Sequence, residues 1–213
     1  MSSVHYFGYG SLVNRQTRPP TEAFEATSVA GWQRSWSHRV NNPEAASVEL
    51  VCASSTTGGL DSVSAQSGPE TPVGYSTLTV VPAPGVQIDG VVVSINARDL
   101  PTLDEREKGY SRCTVQSVKS TDPVAMYVSQ SEHVNTVSSA YPLVQSYVDC
   151  VLAGFLTVFG WEGVDRFIAT TTGWATPILA DRAAPLYPRA VSLEPDLEQL
   201  FDERIAAART RQH

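Results

Sequence analysis

Tyr6-Phe7-Gly8-Tyr9-Gly10-Ser11-Leu12, close to the start of the chain, runs an apolar strand into a turn with two glycines one residue apart. Glycine reaches φ > 0 and lets the backbone approach a ligand with no Cβ in the way. Successive backbone N–H groups in such a turn can converge on an anion or a developing oxyanion. The turn lacks a carboxylate. One stands far downstream, in Leu103-Asp104-Glu105-Arg106-Glu107-Lys108-Gly109-Tyr110-Ser111-Arg112, and a function is read from the two stretches together.

Outward from the first stretch, short runs rich in β-branched and aromatic residues between Gly, Pro and Asn predict strands over residues 4–9, 30–40, 47–53, 74–81, 87–95, 110–118 and 124–129. So many short strands predict a closed or nearly closed β-barrel. The Ser/Gly/Pro-rich segment 54–72 reads as a mobile loop, a lid or a disordered insertion, and its low hydrophobicity favours the second. After Tyr141 the period changes. Val144, Tyr147, Val148, Val151, Leu152, Phe155, Leu156 and Phe159 recur at helical spacing, with Pro142 inside the start and Gly160 as the stop. A shorter helix over 163–171 and a last one over 195–211, with Leu197, Leu200, Phe201 and Ile205 on one side, complete the reading. The fold class is α+β, a small mixed barrel with flanking helices, in one domain over 1–213 with a helical extension from about residue 161.

Composition bounds the function. The 213 residues are 42% hydrophobic and 17% charged, as in a globular protein with a sizeable core. A net charge of −7 argues against a general binder of nucleic acid or acidic membranes. Lys108 and Lys119 are the only lysines, so arginine carries nearly all positive charge, as a GC-rich coding bias would also produce. Cys52, Cys113 and Cys150 show neither disulfide nor zinc-ribbon spacing. No basic segment followed by an apolar run opens the chain, and the apolar run 148–161 is broken at Asp149 and short for a bilayer of ~30 Å. The expectation is a cytoplasmic protein with no metal, cofactor, nucleic-acid or membrane partner; the oligomeric state is not encoded legibly.

The remaining motifs are weighed by chemistry. Gly8-Tyr9-Gly10-Ser11-Leu12-Val13 opens like a dinucleotide fingerprint, but Val13 stands at the third glycine and Pro19-Pro20 forbid a continuing helix. Glu107 closes a short helical stretch from near Asn96 to Gly109. Asp104 lies three residues before it and shares its face, between Leu103 and Tyr110. A solvated acidic face is the ordinary reading of such a cluster, but a carboxylate in an apolar cavity mouth gains the raised pKa of a general base. His5, His38, His133 and His213 show no ligand spacing, and neither Ser11 nor Cys113 has a base placed for nucleophilic catalysis. Asp181-Arg182-Ala183-Ala184-Pro185-Leu186-Tyr187-Pro188-Arg189-Ala190 is a stiff stretch that either lines a pocket with Arg182 or Arg189 or crosses the surface.

The two main motifs together resemble the γ-glutamylcyclotransferase superfamily, whose members share a small barrel with flanking helices. The resemblance covers most of residues 1–160 and includes Gly31-Trp32-Gln33-Arg34 and Tyr147 of Ser146-Tyr147. It implies that Glu107 is the proton acceptor, that Tyr6, Phe7, Gly8, Tyr9, Gly10, Ser11 and Leu12 form the substrate loop, and that Tyr147 contacts substrate. Arg106-Glu107-Lys108-Gly109-Tyr110 is similar to the ChaC-type glutathione-degrading branch, with one glycine where that branch often has two. The 54–72 segment and the chain from Trp161 match no branch. The implied reaction is attack of a γ-glutamyl α-amine on its own γ-carbonyl, releasing 5-oxoproline without a cofactor. The partner is then a small γ-glutamyl molecule: glutathione, a γ-glutamyl amino acid or a γ-glutamylamine. A non-catalytic binding protein of the same fold stays open as the reading from another class.

Overall fold

Two long strands carry the sheet. β2 (Ala23–Asn41) and β4 (Gly74–Asn96) pair antiparallel from Ala23↔Ser94 to Asn41↔Gly74. The computed structural model describes residues 3–19, 22–48, 50–51, 71–119, 123–134 and 138–211. The expected loop at 54–72 therefore lies outside the described residues except for its last two.

Where the sequence predicts separate strands over 74–81 and 87–95, β4 runs through the intervening prolines as one bent strand. The register shifts between Ala30 and Trp32, so that Gly31 alone faces residues 83–86. Gly31 (φ 85°) and Gly85 (φ 87°) take the left-handed conformation this bulge needs. Pro82 and Pro84, at and beside this bulge, are exposed.

β1 (Ser3–Gly8) lies centrally, antiparallel to β4 through Tyr6↔Val93 and Gly8↔Val91. Its other edge runs parallel to β6 (Pro123–Ser129) through Phe7↔Met126, and β6 pairs with β5 (Tyr110–Gln116). Tyr6, Phe7, Val91, Val93 and Met126 are buried where these strands meet.

The sheet is not a closed barrel, which corrects the closed form of the expected fold. Among the described residues, the chain just past β5 meets the β2 backbone through an isolated bridge at Val29↔Ser117 and the Val118 N–H donating to Ser28 O at 3.0 Å. The seven-residue β5 is mostly exposed and ends as it meets β2, so a seam stands where a ladder would close the ring. Four two-residue strands complete the sheet: β7 (Leu143–Val144), β9 (Ile178–Leu179) and β3 (Leu50–Val51) follow one another outward from β4, and β8 (Thr171–Thr172) pairs with β2. Of the described residues within the expected 47–53 strand, Leu50–Val51 are in strand, and residues 49, 52 and 53 lie outside the described residues.

α1 (Leu100–Arg106) follows a 3-10 turn at Ala97–Asp99 and delivers Glu107 at its C-terminal cap. α2 (Gln145–Ala169) continues past the expected stop, but Gly160 (φ 65°, ψ −170°) breaks it at the anticipated residue. By length and composition α2 could cross a membrane, yet 56% of its apolar window is buried inside the fold, where it serves as core. Gly154 lets it close on the loop after β1: a Cβ there would lie 2.7 Å from Asn14 N, and Asn14 Nδ2 donates to Cys150 O at 2.8 Å. α3 (Pro195–Arg211) buries Phe201, Ile205 and Ala208 as an amphipathic face, while Leu200, expected on it, is exposed.

Gly90 is where the fold touches the candidate site. A Cβ on it would meet Gly8 O at 2.4 Å and Phe7 Cζ at 2.5 Å, both on the neighbouring central strand. Gly90→Ala is expected to cost about 1–3 kcal/mol of stability by overpacking. Urea unfolding measures it, and a wild-type midpoint would contradict the contact.

Candidate active site

The turn after β1 is held from behind. Tyr9 O accepts from Arg34 Nε at 2.8 Å, and the Tyr9 hydroxyl donates to Tyr127 O at 2.6 Å. Arg34 has no exposed surface; its other nitrogens donate to Thr170 Oγ1 at 2.9 Å and to Asp89 O, and its faces lie 4.9 and 4.8 Å from the Phe155 and Phe167 rings. Burial pulls its pKa down to about 9, which still leaves it charged at neutral pH. The Arg34 noticed in the sequence is thus a positioning residue behind the loop.

Gly10 then caps a 3-10 turn at Ser11–Val13, and Val13 N–H donates to Gly10 O at 2.9 Å. Neither Gly8 nor Gly10 is among the positive-φ glycines, contrary to the reading of the turn. They are needed for space. A Cβ on Gly8 would fall 2.8 Å from Leu12 Cβ, and one on Gly10 would fall 3.2 Å from Leu78 Cδ1 and 3.3 Å from the Tyr147 hydroxyl.

Glu107 reaches the same place from the far end of α1. Its N–H donates to Leu103 O, its carbonyl accepts from Tyr110 N–H, and Gly109 (φ 95°) makes the left-handed step that turns helix into β5. The carboxylate, mostly buried, pairs with Arg106 Nε at 3.1 Å. Desolvation raises its pKa above the usual range, opposed by the charges of Arg106 and Arg189. Asp104, three residues earlier, turns to other partners: it accepts from the Tyr127 hydroxyl at 2.7 Å and pairs with Arg112 at 3.1 Å. Its visible role is to hold Tyr127.

A cavity of about 30 Å³ lies between the two motifs. Phe7, Tyr9, Gly10, Ser11, Leu12, Glu107 and Tyr147 line it together. Tyr6 and Gly8 do not, because alternate strand residues face opposite ways. Tyr6 instead lines a neighbouring groove of about 580 Å³, its hydroxyl donating to Glu22 at 3.4 Å.

Leu78, Tyr110 and Tyr127 complete the lining without having been singled out as site residues, though Tyr110 stands inside the second motif. The Tyr110 hydroxyl donates to Leu78 O at 2.7 Å, and its ring stacks 3.9 Å from His38. Burial lowers the His38 pKa to about 4, so His38 is a neutral support for that ring. Burial also pushes the phenols of Tyr9, Tyr110 and Tyr147 up, keeping them protonated. Of the proline-marked stretch, Tyr187 packs 4.8 Å from Tyr147 and Arg189 lines the larger groove, whereas Arg182 is taken up by Asp149 and Asp202. Among the described residues no group of three His, Cys, Asp or Glu side chains could hold a metal ion.

No protein-family model matches the sequence, and no curated protein matches it. Solved structures align over nearly the whole chain, two of them with a TM-score above 0.5. One, described as a gamma-glutamyl cyclotransferase, has a TM-score of 0.51 and 15% identity, covering 95% of this chain and 99% of its own. The other, an uncharacterised protein from Homo sapiens, has a TM-score of 0.52 and 17% identity, with the same coverage. The chain has the γ-glutamyl cyclotransferase-like fold.

The raised pKa of Glu107 has a stability signature. Its carboxyl binds a proton more tightly folded than unfolded, so the ionised form costs stability above the ordinary carboxylate range and nothing below it. Glu107→Gln is expected to melt at a higher Tm than wild type at about pH 8, with the gap closing below about pH 4. Thermal unfolding across that range checks it, and a variant less stable at the upper end would contradict it.

Proposed function

We propose that this protein is a γ-glutamyl cyclotransferase in which Glu107 is the proton acceptor and the Tyr9–Leu12 turn holds the γ-glutamyl group. The observation that carries the reading is one cavity shared by Glu107 and a glycine turn almost a hundred residues away in the chain. Nothing in packing alone calls for a carboxylate there, since burying one is costly.

The present cavity has room for about one water. Substrate binding therefore widens it, and the substrate ammonium takes the place of Arg106 beside Glu107. Glu107 removes one proton from that ammonium, whose free pKa lies near ~8. The freed amine attacks the γ-carbonyl carbon, closing a five-membered ring in an intramolecular step that orientation alone greatly accelerates. Charge develops on the carbonyl oxygen within reach of donors at the turn, where Ser11 and Leu12 N–H groups serve no backbone carbonyl in the described residues. As the intermediate collapses, the C–N bond to the leaving group breaks. Two protons pass in all from the attacking to the departing nitrogen, the first of them through Glu107. The products are 5-oxoproline and the departing amine in its ammonium form, with Glu107 returned to carboxylate and no redox change.

Glu107→Gln is expected to lower kcat for 5-oxoproline release by roughly 10²–10⁴-fold with the fold intact. Wild-type kcat/KM should fall on its acid side at a pH above that of an ordinary glutamate. Assays with glutathione, γ-glutamyl-alanine and γ-glutamyl-lysine test both, and full activity in the variant would remove Glu107 from its role. Gly10→Val places methyls against Leu78 and Tyr147. It is expected to weaken substrate binding by about 1–3 kcal/mol, read as a raised KM.

A further inference from the structure

The groove of about 580 Å³ beside the cavity shares a wall with it, since Arg106 lines the groove and its neighbour Glu107 lines the cavity. Five ionisable side chains with charge at neutral pH line the groove: Glu22, Arg98, Asp99, Arg106 and Arg189. Four have partners. Arg98 faces Asp99 at 3.7 Å, Arg106 holds Glu107 at 3.1 Å and donates to Thr17 O at 2.8 Å, and Glu22 faces Arg18 at 4.0 Å. Arg189 is exposed and has no hydrogen-bond or ion-pair partner among the described residues.

Its position is nonetheless built. Two residues earlier, Tyr187 is buried, its N–H reaches Ser146 Oγ at 3.4 Å, and its ring packs 4.8 Å from Tyr147 of the cavity. Ala190 N–H then donates to Tyr187 O at 3.1 Å, closing a tight turn around Arg189. The backbone that carries Arg189 is thereby held at the groove rim, and the Arg189 charge is felt at the Glu107 carboxylate. In the reaction proposed above, whatever follows the scissile amide must extend out of the small cavity, and Arg189 stands within electrostatic reach of Glu107, two residues after the Tyr187 ring that packs on Tyr147.

We infer that Arg189 binds a carboxylate on the departing portion of the substrate, making this an enzyme that releases an amino acid or peptide in preference to a simple amine. The inference rests on the proposed cyclotransferase reaction. A planar guanidinium offers paired donors matched to a carboxylate, and an amine leaving group presents no anion to receive them.

The test compares γ-glutamyl-alanine with γ-glutamyl-ethylamine, which differ by that one carboxylate, in wild type, Arg189→Ala and Arg189→Lys. The readout is the ratio of their kcat/KM values for 5-oxoproline release. Wild type is expected to favour γ-glutamyl-alanine by about tenfold or more, with the ratio falling toward one in Arg189→Ala, chiefly through KM, and partly recovering in Arg189→Lys. A ratio unchanged by Arg189→Ala, or a wild type that prefers the ethylamine, overturns the role of Arg189 while leaving the reaction standing. Absence of 5-oxoproline from both compounds in wild type overturns the reaction, and the inference with it.

Discussion

The site hangs from one buried cation. Arg34 has no exposed surface, yet it carries a charge that water would otherwise stabilise, and burial shows its cost in a pKa pulled down to about 9. The charge is tolerated because its donors reach Tyr9 O beyond β1, Asp89 O in β4 and Thr170 Oγ1 beyond α2, while two phenylalanine rings cover its faces. Three elements are thus committed to one geometry. A slip of β2 by a single residue would turn Arg34 to the other side of the sheet and leave those oxygens unpaired.

That constraint explains why the turn after β1 can be built from small residues. Gly8 and Gly10 are kept for closeness, to Leu12 in one case and to Leu78 and Tyr147 in the other. A turn with so little side chain of its own needs outside support, and Arg34 provides it at the carbonyl of Tyr9. Glu107 receives a comparable anchor from the left-handed step at Gly109, which directs the chain into Tyr110 and the strand behind it.

Much of this arrangement is legible in the sequence. The two motifs, the break at Gly160 and most strands stand out because glycine, β-branched residues and helical spacing have local causes. What is not legible depends on the third dimension. The opposite facings of Tyr6 and Phe7 follow from strand alternation, but which face holds the cavity depends on β4 and β6. The bulge at residues 83–86 reads as a strand end because Pro82, Pro84 and Gly85 ordinarily end strands. Asp104 reads as a companion to Glu107 by helical spacing, whereas a tyrosine more than twenty residues away claims it. Tyr127 and Tyr187 carry no local signal beyond being aromatic.

The Arg106–Glu107 pair resolves a difficulty that any buried base faces. Desolvation raises the pKa of Glu107 and so works against its ionised form, the form that can take up a proton. Arg106 supplies the charge that keeps the carboxylate available. In the proposed reaction the substrate ammonium replaces one cation with another, so entry leaves the electrostatic balance around Glu107 nearly unchanged. The following step differs: proton transfer converts carboxylate and ammonium into two neutral groups. Burial raises the pKa of the first and lowers that of the second, narrowing the gap across which the proton moves. The same dry surroundings that make Glu107 expensive to ionise make the proposed transfer easier, while the cation beside it opposes that cost.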